Sequence, residues 1–150
     1  MNNIRYLKMG NQQSIQKVGF EDMQYIVEHH TKYVIINTLD KHMQHCLITH
    51  TISIDAEESV INTLLSRDKF TNIVIYGKNA NDVSIYDKYE QLAKLGFTHI
   101  YVYPGGMFEW LCLQDIYGSD LFSTNKKELD ILKYKPNQIV NKLYIMNDID

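Results

Sequence analysis

An α/β fold with a central parallel sheet of about five strands is what this sequence predicts, on three observations. Short apolar runs of the buried-strand kind alternate with segments whose apolar residues fall at helical spacing. That alternation of strand and helix implies parallel strands covered on both faces. The chain has 150 residues and 45% apolar composition, enough for one core and one domain.

The elements follow in order. Residues 1–16 are polar and irregular, an arm or a short edge element. Phe20, Met23, Ile26 and Val27 mark one face of a helix, and Tyr33-Val34-Ile35-Ile36 reads as a buried strand. Thr51 to Ile54 alternates with period two. Asp55 then caps a helix in a capping box with Glu58, with Val60, Ile61, Leu64 and Leu65 facing inward. Ile73 to Tyr76 is the next strand. Asp82 caps the following helix, which turns Ile85, Tyr89, Leu92 and Leu95 inward and stops at Gly96. Phe97 to Tyr103 reads as a strand, Pro104-Gly105-Gly106 as a turn, and Met107 to Tyr117 as a helix closed by Gly118. Beyond it, Leu129, Ile131 and Leu132 carry a weaker helical pattern within 119–136. The end of the chain is expected to pack first and then fray.

The net charge of −3 provides no broad basic surface, so nucleic acid and anionic membrane are not the expected partners. A protein or a small anion is. Met1 to Leu7 shows no apolar leader pattern, and no apolar run approaches the ~20 residues of a membrane helix. With Cys46 and Cys112 as the only cysteines, neither a disulfide framework nor metal-ligand spacing arises, and a reducing, cytoplasmic setting is expected.

In a parallel α/β sheet, ligands bind outside the carboxyl ends of the strands. The segment Gly77-Lys78-Asn79-Ala80-Asn81-Asp82-Val83-Ser84 lies at such an end and runs straight into a helix, so its backbone N–H groups should form an anion cradle. A plain β-to-α turn is the alternative reading.

The order of elements, with Leu95-Gly96-Phe97 and then Gly105-Gly106-Met107-Phe108-Glu109-Trp110, resembles the rhodanese-like domain. The resemblance spans about residues 17–118 and divides the chain into an arm (1–16), that domain, and an extension (119–150). It implies a three-layer sandwich. It also implies a sulfurtransferase whose loop cysteine takes a sulfane sulfur as a persulfide held by backbone amides, and a low-pKa thiolate is what that chemistry needs. The family cysteine falls on Gly77 when counted from the strand, or on Ala80 when the loop apex is taken. Neither is a nucleophile.

Other departures agree. Asn37 and Leu39 stand where the family has the Asp and Arg of Asp-x-Arg, and Leu47 stands at the His of Gly-His-Ile. The related Cys-x5-Arg phosphatases are a poorer match still, because no Arg lies between Gly77 and Trp110. The expectation is a catalytically silent domain, with no catalytic residue, cofactor or metal, that works through its 77–82 loop as a binding or regulatory module. The alternative is a sulfurtransferase whose cysteine is replaced here at Ala80 or Gly77, or whose role Cys46 takes over. Alanine at the apex is what a Cys→Ala exchange would leave. Cys112 reads as core, Cys46 as structural, and the cluster of Asp40, His42, His45 and His50 as a solvated loop. Phe108 and Trp110 read as core. Tyr86, Tyr101, Tyr103 and Tyr117 are candidate anchors of an interface, a homo-oligomer among the possibilities.

Overall fold

The computed structural model describes residues 14–141. Four strands, β1 (Gln16–Lys17), β2 (Tyr33–Asn37), β3 (Asn72–Tyr76) and β4 (Ile100–Tyr103), form one parallel sheet in the order β1-β4-β3-β2. Among the described residues four helices cover it: α1 (Phe20–Glu28), α2 (Ile54–Arg67), α3 (Ser84–Lys94) and α4 (Gly106–Tyr117). Alternate side chains of each strand serve opposite faces. Val74 and Tyr76 of β3 pack with Met23 and Ile26 of α1 and Met107 and Trp110 of α4. Ile73 and Ile75 pack with Ile61 of α2 and with Ile85 and Leu92 of α3. The result is the three-layer sandwich the sequence implied.

The sheet has four strands rather than about five, and the missing one is Thr51 to Ile54. Only Thr51 bridges β2, at Ile35, with Ile52 N donating to Ile35 O (2.9 Å). A turn with His50 at φ +71° crowds this segment from one side. From the other, Ser53 caps α2, its hydroxyl accepting from Ala56 N at 3.3 Å. One bridge is all the chain has room for. The cap is therefore Ser53, and Asp55 lies in the first turn beside Glu57, where a carboxylate still suits the positive helix end.

Helix α3 stops as predicted. Gly96 has φ +106°, Gly96 N donates to Ala93 O (3.0 Å), and Phe97 N donates to Leu92 O (3.3 Å). These are the two bonds of a Schellman stop, and buried Phe97 and Leu92 supply its apolar contact. Phe97 thus belongs to the helix stop, and β4 begins only at Ile100.

The 119–136 pattern makes no α-helix. A 3-10 turn at Ile131–Tyr134 is its only helical part, and Leu129 and Leu132 are exposed. The segment is held instead by pairing with 47–49: Ile48 bridges Thr124, Asn125 N donates to Leu47 O (2.9 Å), and Thr49 N donates to Ser123 O (3.2 Å). Phe122 and Tyr134 are buried in the same core as Trp110. The arm up to residue 13 and the tail from 142 lie outside the described residues.

Candidate functional site

β2 and β3 end side by side, Asn37 opposite Tyr76, so the loops leaving them start together. Within the 77–84 loop the Asp82 carboxylate folds back. Its Oδ2 accepts from Lys78 N at 2.9 Å, and its Oδ1 accepts from Ser84 N at 3.0 Å. Ser84 Oγ lies 2.6 Å from Asp82 Oδ1 and 2.7 Å from Thr38 Oγ1, tying this loop to the end of β2. Asp82 therefore precedes the helix by one residue more than a cap would, and its ligands are the loop's own amides. The cradle expected for an outside anion holds an internal one.

A second polar residue fixes the opposite side. Buried Asn79 accepts from Asn81 N through Oδ1 (2.9 Å) and donates from Nδ2 to Tyr134 O (2.9 Å). Beneath the loop, Met107 N donates to Gly77 O (3.0 Å) and Phe108 N to Lys78 O (2.9 Å). So close an approach needs a residue without a side chain at 106. Gly106 has φ +66°, and a Cβ there would lie 2.6 Å from Gly77 O.

The loop opens on a cleft of ≈ 460 Å³ whose walls include Thr38, Lys78, Asn81, Asp82, Lys135 and Ile139. The ammonium groups of Lys78 and Lys135 have no ion-pair or hydrogen-bond partner among the described residues. Ala80 is exposed, and Gly77 is buried. A Cβ on Gly77 would lie 2.4 Å from Asp82 Oδ2 and 2.9 Å from Thr38 Oγ1, so a thiol at 77 would compete with the Asp82 carboxylate for one place.

The other candidate residues lie elsewhere. Cys46 is wholly buried, and its Sγ donates to Lys126 O (3.2 Å). Burial pushes that thiol up. Burial also raises half-buried Cys112, helped by Asp115 and Glu109. Neither lines the cleft, and neither is a ready thiolate. The histidines disperse: His45 contacts Glu128 (3.2 Å) and Lys133 (3.0 Å), and His50 stacks on His30 with ring centroids 3.6 Å apart. Trp110 is buried, its Nε1 donating to Ser123 O (3.0 Å), and Phe108 packs against the core. Tyr103 is fully buried and so is no interface anchor; Tyr86 and Tyr101 are half-buried and Tyr117 is exposed.

Residues 40–112 match the family model described as the rhodanese-like domain. Those residues carry a rhodanese-like domain. Solved structures share its fold. The BH2092 protein from Bacillus halodurans is 17% identical over 97% of this chain and 99% of its own, with a TM-score of 0.57. A rhodanese-like domain from Anabaena sp. is 19% identical over 84% of this chain and 88% of its own, with a TM-score of 0.54. The single-domain sulfurtransferase RDL2 of Saccharomyces cerevisiae is 17% identical over 73% of this chain and 97% of its own, with a TM-score of 0.53. No curated protein matches the chain.

In this rhodanese-like domain, the positions that depart from the family pattern have local occupations. Asn37 Oδ1 accepts from Leu39 N (3.0 Å) and from Gln44 Nε2 (2.7 Å), which closes the turn after β2. Leu39 and Leu47 are buried in the core. Sequence reasoning missed Thr38, Lys135 and Ile139. Thr38 adjoins the Asn37-x-Leu39 segment and could have been found there, but nothing in the local pattern around 135–139 places it over a loop 55 residues earlier in the chain, as the Asn79–Tyr134 bond does.

Proposed function

We propose that this rhodanese-like domain is catalytically silent and acts as a binding or regulatory module through the Gly77 to Asp82 loop. The observation that carries the reading is the Asp82 carboxylate held by Lys78 N and Ser84 N. A sulfur-transfer site needs amides free to hold a persulfide and a thiol beside them. Here a fixed negative charge takes two of those donors, and no cysteine lines the cleft. Recognition then falls to the rim, where the Lys78 and Lys135 ammonium groups, unpaired among the described residues, share the cleft wall with Ile139, 61% exposed. Cations beside apolar side chains suit a protein partner with an acidic and apolar segment better than a free small anion.

Thiocyanate release from thiosulfate and cyanide tests the reading. The chain as it stands, Ala80→Cys and Gly77→Cys are assayed together after each is confirmed folded. No turnover is expected from the unaltered chain, and turnover there overturns the proposal. Turnover confined to Ala80→Cys favours the alternative, a sulfurtransferase cradle whose nucleophile is replaced at the loop apex. Gly77→Cys is expected to stay inactive while Asp82 remains.

A further inference from the structure

A second cleft, of ≈ 440 Å³, lies at the opposite end of the sheet, between α1 and the amino ends of β2 and β4. Tyr25, Tyr33 and Tyr101 line it together with Asp22, and Val18 and Ile26 supply apolar wall. The Tyr25 and Tyr33 rings meet almost at right angles, 87°, with centroids 6.4 Å apart. Neither the Asp22 carboxylate nor any of the three phenol hydroxyls has a hydrogen-bond or ion-pair partner among the described residues.

The helix that walls this cleft is acidic. Helix α1 carries Glu21, Asp22 and Glu28 and no basic residue. Among the described residues Lys17 is the only cation on the wall, and its Nζ lies 5.7 Å from the centroid of Tyr86, whose ring packs with the core on the other face of the sheet. Burial, then Tyr25, Tyr101 and Asp22, which line the same cleft, hold the Tyr33 phenol above its usual range and keep it neutral.

We propose that this cleft binds a primary alkylammonium group. A carboxylate and phenol oxygens accept its three N–H donors, the tyrosine rings favour a cation beside them, and Val18 and Ile26 accommodate an aliphatic stem. An anion is repelled by Asp22, and a neutral apolar ligand would leave the carboxylate and the phenols unpaired. The site is separate from the 77–82 loop and does not depend on how that loop works.

Backbone amide chemical shifts of the full chain, followed while pentylamine is added, test the proposal. Saturable shifts at Tyr25, Tyr33 and Tyr101 are expected near a Kd of about 1 mM, a modest affinity for one small cation. Pentanol, the neutral isostere, is expected to leave them unchanged. Asp22→Asn and Tyr33→Phe, both confirmed folded, should each weaken binding, the first by about tenfold because it removes a charge-assisted bond. Nα-acetyl-lysine amide distinguishes the source: binding equal to pentylamine points to a lysine side chain of a partner, and weaker binding to a free amine, with the ammonium site upheld in both cases. The proposal is overturned if pentylamine gives no saturable shift, if pentanol matches it, or if both variants bind as before.

Discussion

Asp82 and Gly77 share one small volume, and the energetics of each depends on the other. Removing the carboxylate strands Lys78 N and Ser84 N, so Asp82→Ala should cost about 1–3 kcal/mol, read as a lower urea midpoint at unchanged slope. Gly77→Cys should also destabilise, because its Cβ falls 2.4 Å from Asp82 Oδ2. The two losses should not add: once Asp82 is alanine, the side chain introduced by Gly77→Cys has room, and the double variant should be more stable than the summed single effects. Additivity within a few tenths of a kcal/mol would mean the carboxylate is not what blocks position 77. Spacing placed Asp82 at a helix start, but the carboxylate's turn back into the loop depends on Lys78 and Ser84 being brought within its reach.

Among the elements, α2 separates a cap from a residue that merely looks like one. Ser53→Ala should cost about 1 kcal/mol through loss of the Ala56 N bond, whereas Asp55→Ala should lose only a few tenths from the helix dipole. Equal losses on thermal melting would restore Asp55 as the cap. A capping signal was legible here, but it pointed to Asp55, because the sequence alone does not show that the chain turns into the helix right after the Thr51–Ile35 bridge, which leaves Ser53 at the cap. The same limit applies to 119–136, whose apolar spacing suggested a helix while its backbone pairs with Leu47 to Thr49. Long-range pairing of this kind overrides weak local periodicity.

For the whole molecule, the extension after Gly118 is part of the core. It supplies Phe122, whose ring lies 5.1 Å from that of Trp110, and Tyr134, whose carbonyl holds Asn79. Removing residues 119–150 should therefore cost more than about 5 kcal/mol, the scale of losing two buried aromatics. A truncated chain that still melts cooperatively near the original temperature would show the extension to be dispensable.

Alkaline pH tests the same core. Burial raises the phenols of Tyr76 and Tyr103, and Tyr134 from 10.0 to about 12. Each folded pKa lies above the unfolded one, so the folded state holds protons the unfolded state has released. The stabilisation from Tyr134 is complete below pH 10 and is lost as the pH rises through about 12, and that from Tyr76 and Tyr103 is lost at higher pH still. Tyr134→Phe should move alkaline unfolding, followed by circular dichroism, to higher pH. It should cost little at pH 7, because the buried hydroxyl has no partner.

Sequence by itself determined the layered α/β class, most of β2 and β3, the Gly96 stop, the Gly105-Gly106 turn and the absence of a thiol from the 77–84 loop. Each rests on spacing or residue identity within a few positions, where sterics and side-chain chemistry act locally. Only the tertiary structure decided that Thr51 is one bridge rather than a strand, that Asp82 fills its own cradle, and that the extension walls the cleft. Those outcomes depend on groups far apart in the chain competing for the same space and the same hydrogen bonds.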